Sequence, residues 1–437
     1  MASKYRPWVC ALVIVGVSCA PQAVTPSSSP TPVAIASPTA SPGLSAAVGA
    51  QLQILHRWFT VPDSLVHENP VVTATFDADP TAGAPRIRLA PGGAEFPFRP
   101  SGGSRWDAVI ETSGLAPGDY SAALVVRIQD RGDVTSATVS FFLSQPEYVV
   151  WTLDFEGDAS GDAEMANTAA IADGLKIPMS VFWNPRAWTS AQVSVDRQDA
   201  MLAWTKGRLA KGDEVALHLH MWTDYVRAVG LIPRLAPSWA GRGDGYDVPM
   251  TAYPENEQQA MVGYGVKLMV QHGLPTPTSF RAGGDIGDAA TLRAVAASGF
   301  TVDCTAVARD YPPIGRVPYP WDLPAGAQPY TPSRTDANAT GDLPLLEAPT
   351  IGGNTYAFTV SSIQPQIRAN LALFAAAGVV ATVRKTITVV SHPGTIVPAE
   401  RAAIEALLGA FGPLRYDADA GPVRFVTLAQ LAKAYAR

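Results

Sequence analysis

At 437 residues and 47% hydrophobic composition, the chain exceeds the usual single domain and can fill more than one core, so two folded units are expected. Its net charge of −6, with basic residues scattered rather than clustered, excludes a nucleic-acid surface. Three cysteines are too few for a disulfide scaffold.

The first segment reads as an export signal. Lys4 and Arg6 precede an apolar run over 8–17 that is too short to span a bilayer comfortably, and Ser18, Cys19 and Ala20 supply a small-residue cleavage context. A cysteine so placed resembles a bacterial lipobox, in which it carries lipid and becomes the mature N-terminus. The expectation is a lipoprotein-type signal over 1–19 with Cys19 as the attachment point, and an exported protein held on the cell membrane, facing away from the cytoplasm. An ordinary secretory signal and an uncleaved anchor are the alternatives. With Cys10 and Cys19 so assigned, Cys304 is left alone in the folded part, where its apolar neighbours make it a buried small hydrophobe. Residues 20–45 are rich in Pro, Ser, Thr and Ala, cannot bury enough apolar surface to offset ordering, and read as a linker.

Over 46–146 the pattern is of short β-type runs separated by turns. Runs at 70–76 and 120–128, and a turn at Asp130, Arg131, Gly132 and Asp133 leading into 135–143, predict a small β-sandwich of immunoglobulin type with no catalytic constellation.

From 147 to 437 strands alternate with helices. Strand-like runs at 148–154, 178–183, 214–220, 279–282, 301–305, 386–392 and 423–428 are separated by helical patterns at 163–175, 199–210, 255–272, 289–297, 363–377 and 399–410. Repeated βα units of this kind predict an incomplete or distorted (β/α) barrel, an α/β fold placed after the all-β domain. The stretch 232–254, with its Pro and Gly and with Trp239 and Tyr246, is long enough to be a loop over the functional face.

Chemistry-bearing residues gather at the ends of these runs. His218 and His220 lie two apart on a strand, so both imidazoles face the same way and can share one zinc ion. His392 ends a second run. Asp154, Glu156 and Asp158 end a third, and share a face if the chain stays extended. Polar groups at strand C-termini converge in sheets of this class.

In this order the motifs resemble those of the polysaccharide deacetylases, over about 148–437. Thr152 to Asp158 is similar to the first motif, Gly212 to His220 to the second, Phe280 to Gly284 to the third, Asp303 to the fourth and Val389 to His392 to the fifth. The resemblance implies a distorted (β/α) barrel that uses one divalent metal, zinc by preference, to acidify water and polarise an acetyl carbonyl. It implies Asp154 as general base, His392 as general acid, Arg281 as the group that orients the base, and Asp303 as a residue that fixes a catalytic imidazole. The metal ligands would be Glu156, His218 and His220, with Asp158 the alternative because Gly157 could redirect the chain. Phe155 stands where the family commonly has a second aspartate, and Trp222 where it has a second-motif histidine. Trp222 is then either a sugar-stacking platform or a core aromatic. The function implied is a hydrolase that removes acetyl groups from an N- or O-acetylated polysaccharide; with the export signal, the expectation is a monomer tethered to the membrane and acting outside the cytoplasm. A catalytically inactive carbohydrate-binding protein and a metal-dependent amidohydrolase of a small non-sugar amide are the alternatives.

Overall fold

The computed structural model describes residues 50–436 except 78, 79, 129, 130, 240, 246, 247, 313 and 314. The signal, Cys10, Cys19, the linker over 20–45, and the turn and loop residues Asp130 and Tyr246 lie outside the described residues.

The first domain is built from β1 (Ala50–Ile54), β2 (Trp58–Thr60), β3 (Val71–Phe76), β4 (Arg86–Ala90), β5 (Glu95–Pro97), β6 (Arg99–Gly102), β7 (Arg105–Val109), β8 (Gly118–Ile128) and β9 (Gly132–Ser144). One sheet has the order β1-β3-β7-β6 and the other β2-β9-β8-β4-β5. Alternate residues of strands such as β3 and β4 turn inward, and Val72, Ala74, Phe76, Ile87, Leu89, Leu124 and Phe141 form a core between the sheets. Tyr120, near the start of β8, donates its hydroxyl to the Ala116 carbonyl at 2.8 Å, the corner found in immunoglobulin-like sandwiches.

The second domain continues with β10 (Glu147–Asp154), α1 (Asp162–Leu175), β11 (Ser180–Trp183), α2 (Val195–Leu209), β12 (Glu214–Leu219), α3 (Thr223–Val229), α4 (Glu255–Gln271), β13 (Ser279–Ala282), α5 (Ala289–Ala297), β14 (Val302–Asp303), β15 (Leu346–Glu347), α6 (Gln364–Leu373), β16 (Lys385–Ser391), α7 (Pro398–Gly409), β17 (Val423–Phe425) and α8 (Leu428–Tyr435). Its parallel sheet has the order β15-β14-β13-β12-β11-β10-β16, with β17 also on β10. Both faces are covered, and every residue of β10 is buried.

The distortion of the barrel lies after β15. Instead of another strand, an irregular segment crosses the gap: Ala348 N–H donates to Asp303 O at 2.8 Å and Thr350 N–H to Ala306 O at 2.7 Å. On its far side Gly352 N–H donates to Thr388 O at 2.8 Å and Val390 N–H to Gly353 O at 3.0 Å. The sheet therefore closes on β16 through a few backbone bonds rather than a full ladder.

Several elements differ from the sequence reading. The run at 423–428 breaks after Phe425, because Thr427 caps a helix: its side chain accepts from Gln430 N–H while the Gln430 side chain accepts from Thr427 N–H. The helix predicted over 363–377 ends at Leu373, and Ala375 N–H instead donates to the Glu147 carboxylate at 2.8 Å. Over 301–305 only Val302 and Asp303 pair as a strand.

The two domains pack within one compact unit, Gly43–Arg437. The Asp419 carboxylate caps the backbone N–H of Arg57 and Trp58, each at 2.8 Å, and Gln145 N–H donates to Ala381 O at 2.8 Å.

Candidate metal centre

The site stands at the C-terminal ends of β10, β12, β13 and β16. β10 delivers Asp154, and the chain stays extended for one further bond, Phe155 N–H to Phe182 O at 2.9 Å, so Glu156 falls on the same face two residues on. Gly157 then takes φ 78°, and a Cβ there would lie 2.8 Å from Cβ of Arg186. That turn carries Asp158 away to pair with Arg186, whose side chain is 2% exposed and also binds Asp224 at 2.9 Å and Gly157 O at 3.1 Å. Of the two carboxylates left open as ligand by the sequence, Glu156 is therefore the one among the histidines.

His218, on β12, and His220, just beyond it, both face the cavity, with ring centroids 4.9 Å apart. His220 Nε2 is 2.6 Å from Glu156 Oε2, His218 Nε2 is 3.8 Å from the same oxygen, and His392 Nε2 is 3.2 Å from Oε1. Ligand atoms of Glu156, His218 and His220 all lie within 4.8 Å of one another, as do those of Asp154, Glu156 and His392. His218 Nδ1 is 3.1 Å from Arg281 O, a backbone acceptor, which assigns the proton to Nδ1. Its Nε2 lone pair then points at the cluster, buried and without a hydrogen-bond partner. An orphaned imidazole nitrogen beside a second imidazole and a carboxylate fits a divalent metal, and the N/O donor set suits zinc.

Charge follows this geometry. Burial would raise the Glu156 pKa, but the charge of His220 and the imidazoles of His218, His220 and His392 more than reverse that and hold it well below the usual carboxylate range. Burial would lower the pKa of His392, and the bond to Glu156 with the charges of Glu156, Asp154 and Glu400 overcomes this and raises it.

Arg281, 1% exposed, is bound on every side. It donates to Asp154 Oδ1 at 2.8 Å, Thr152 Oγ1 at 2.9 Å, Cys304 O at 2.7 Å and Thr350 Oγ1 at 3.1 Å. It engages only one oxygen of Asp154 and leaves the other for the cavity, which has a volume of about 310 Å³.

Asp303 is not brought to this cluster. It is fully buried, accepts from the Thr305 hydroxyl at 2.8 Å and lies beside Glu347, and among the described residues it bonds to none of His218, His220 and His392. Its connection to the site is indirect, because the same Thr305 hydroxyl accepts from Ala282 N–H at 2.9 Å and so steadies the strand end after Arg281. Trp222 lines the cavity, but it is only 5% exposed and the Arg186 guanidinium sits 3.9 Å from its ring centroid. One face of the ring is thus taken, which argues for a packing role over a sugar platform.

The loop read as a cover does contribute Trp239 to the cavity wall. Asp285, Asn354 and Tyr356 line the cavity too and were not singled out from sequence. Asp285 directly follows the Phe280 to Gly284 motif and could have been found by extending it. Asn354 and Tyr356 belong to the end of the irregular closing segment, which has no periodicity to mark it.

No family model and no curated protein matches this chain. Among solved structures it is similar to a Mycobacterium smegmatis protein assigned provisionally as a polysaccharide deacetylase, at 15% identity and TM-score 0.41, covering 66% of this chain and 89% of that one. A Streptomyces lividans family 4 carbohydrate esterase in complex with acetate is 10% identical at TM-score 0.31, over 62% of this chain and 88% of that one. A Thermococcus litoralis 4-alpha-glucanotransferase is 10% identical at TM-score 0.39, over 67% of this chain but 40% of that one. At such scores the functional reading has to come from the site's own residues.

Proposed function

We propose that this chain is a metal-dependent hydrolase of the polysaccharide deacetylase type, removing acetyl groups from an N- or O-acetylated polysaccharide outside the cytoplasm. The observation that carries the reading is the convergence of Glu156, His218 and His220 within 4.8 Å beside a carboxylate, Asp154, that Arg281 holds at 2.8 Å. A bound divalent metal, zinc by donor chemistry, would supply Lewis acidity toward the acetyl carbonyl and toward water.

The chain's own groups divide the rest. Asp154, fixed through Oδ1, presents Oδ2 as the acceptor for the proton that water loses on attack. His392, on the opposite side of Glu156, donates a proton to the departing nitrogen or oxygen, and its raised pKa favours the imidazolium this needs. Arg281 keeps the base from rotating. Trp222, Trp239 and Tyr356 give the cavity aromatic walls.

The test is metal content and acetate release together. Wild type should carry about one zinc per chain and release acetate from an acetylated glycan, whereas His218→Ala and His220→Ala should lose both. Asp154→Asn should keep the metal and lose on the order of a hundred- to ten-thousand-fold in turnover. Equal metal in all four proteins would overturn the ligand assignment.

Export rests on sequence: the charged start, the short apolar run and Cys19 support a lipidated protein on the outer face of a membrane. Cys19→Ala should release it from the membrane fraction, and an unmodified N-terminus downstream of residue 19 in the wild type would count against lipidation.

A further inference from the structure

Four carboxylates line the cavity, and three are already engaged: Asp154 by Arg281, Glu156 by His220, and Asp158 by Arg186. Asp285 is different. It is 7% exposed, yet among the described residues nothing hydrogen-bonds its carboxylate, and Trp321 Nε1 takes only its backbone carbonyl, at 2.8 Å. It is held at φ 57°, in the left-handed region that Asp and Asn adopt more readily than other non-glycine residues. Burial pushes its pKa up to about 6 against the pull of Arg281, as befits a carboxyl lacking partners. On the same cavity Asn354 is 8% exposed, and among the described residues its buried Oδ1 has no partner. A buried polar atom left so, as this one is, is rare enough in folded proteins to call for an explanation.

Resting on the deacetylase reading above, we propose that Asp285 and Asn354 together form the seat for the nitrogen of an N-acetylated sugar, so that the site distinguishes amide from ester. An acetamide presents an N–H to these two acceptors, where an acetate ester presents only oxygen. Products diverge further. In amide hydrolysis the water oxygen bonds to the acetyl carbon, the C–N bond breaks, and the nitrogen takes up the water's protons to leave acetate and an ammonium. Ester hydrolysis breaks the C–O bond and leaves acetate, a neutral alcohol and a free proton. A carboxylate without a competing partner can hydrogen-bond either product, but only the ammonium adds the attraction of opposite charges to that bond.

The experiment uses the zinc-loaded full chain and two probes, an N-acetylglucosamine oligomer and an O-acetylated xylan oligomer, with glucosamine as inhibitor. Asp285→Asn should fold, because asparagine tolerates positive φ, and metal content and Tm check that it does. Its ratio of amide to ester kcat/KM should fall about tenfold or more, and inhibition by glucosamine should weaken by a similar factor. Asn354→Ala should lower the same ratio and gives a second, independent variant. An equal loss on both substrates, or unchanged inhibition by glucosamine, would overturn the assignment. If wild type releases acetate from neither substrate, the deacetylase reading fails on its own. Calorimetry with glucosamine then decides the rest: binding lost in Asp285→Asn supports the seat, and equal binding overturns it.

Discussion

At the scale of single residues, glycines set the site as firmly as ligands do. A Cβ on Gly283 would lie 2.4–2.6 Å from Nδ1, Cγ and Cε1 of His220, closer than any real contact, so Gly283→Ala must push the imidazole aside. The expected outcome is a zinc affinity weaker by on the order of ten- to a hundred-fold, the range found when groups that orient a ligand are removed. Competition with a chromophoric chelator measures it. That His218 and His220 meet at one site was legible, since two histidines on alternate strand positions share a face. The choice between Glu156 and Asp158 was not, because it depends on the φ of Gly157 and on Arg186, a residue from the next βα unit that sequence spacing does not bring near. Asp303 misled for a related reason: its buried carboxyl is taken up by Thr305 and Glu347 rather than by an imidazole of the cluster.

At the scale of elements, strands and helices with strong periodicity were read within a few residues, whereas pieces fixed by local hydrogen bonds were not. The strands β12 and β13 and the helices α4 and α5 are of the first kind. The helix α8 is of the second, although its signature, Thr427 followed three residues later by Gln430, stands in the sequence. Thr427→Ala removes the acceptor for Gln430 N–H and should cost about 1 kcal/mol of stability, read as a lower denaturant midpoint with unchanged slope. The two-residue strands β14 and β15, and the segment that closes the barrel after them, carry no period that a window could detect. Their pairing is decided by the curvature of the whole sheet, and so Asn354 and Tyr356 reach the cavity from a stretch that reads as loop.

For the whole molecule, pH is expected to act at the junction of the two domains. Glu147 opens β10 and is buried; burial pushes its pKa up to about 7, against the bond from Ala375 N–H and the charge of Lys385. The native state thus holds a proton that the unfolded chain has already lost above its ordinary carboxylate pKa. This contribution to stability is complete below about pH 4.5 and is lost as the pH rises through about 7. Glu147→Gln keeps an acceptor for Ala375 and should flatten the fall in Tm between pH 5 and about 8, leaving the variant more stable than wild type at the upper end. An unchanged slope would remove Glu147 as its cause. The same strand has a mechanical meaning. Only Gln145 and Pro146 separate β9 from β10, so a pull transmitted through the sandwich enters the barrel along the backbone that ends at Asp154. It meets β10 lengthwise, where the parallel register with β16 from Glu147 to Leu153 resists in shear and shares the load across all its bonds at once. Tension on the N-terminal side would be absorbed there before it displaced the carboxylate at the other end.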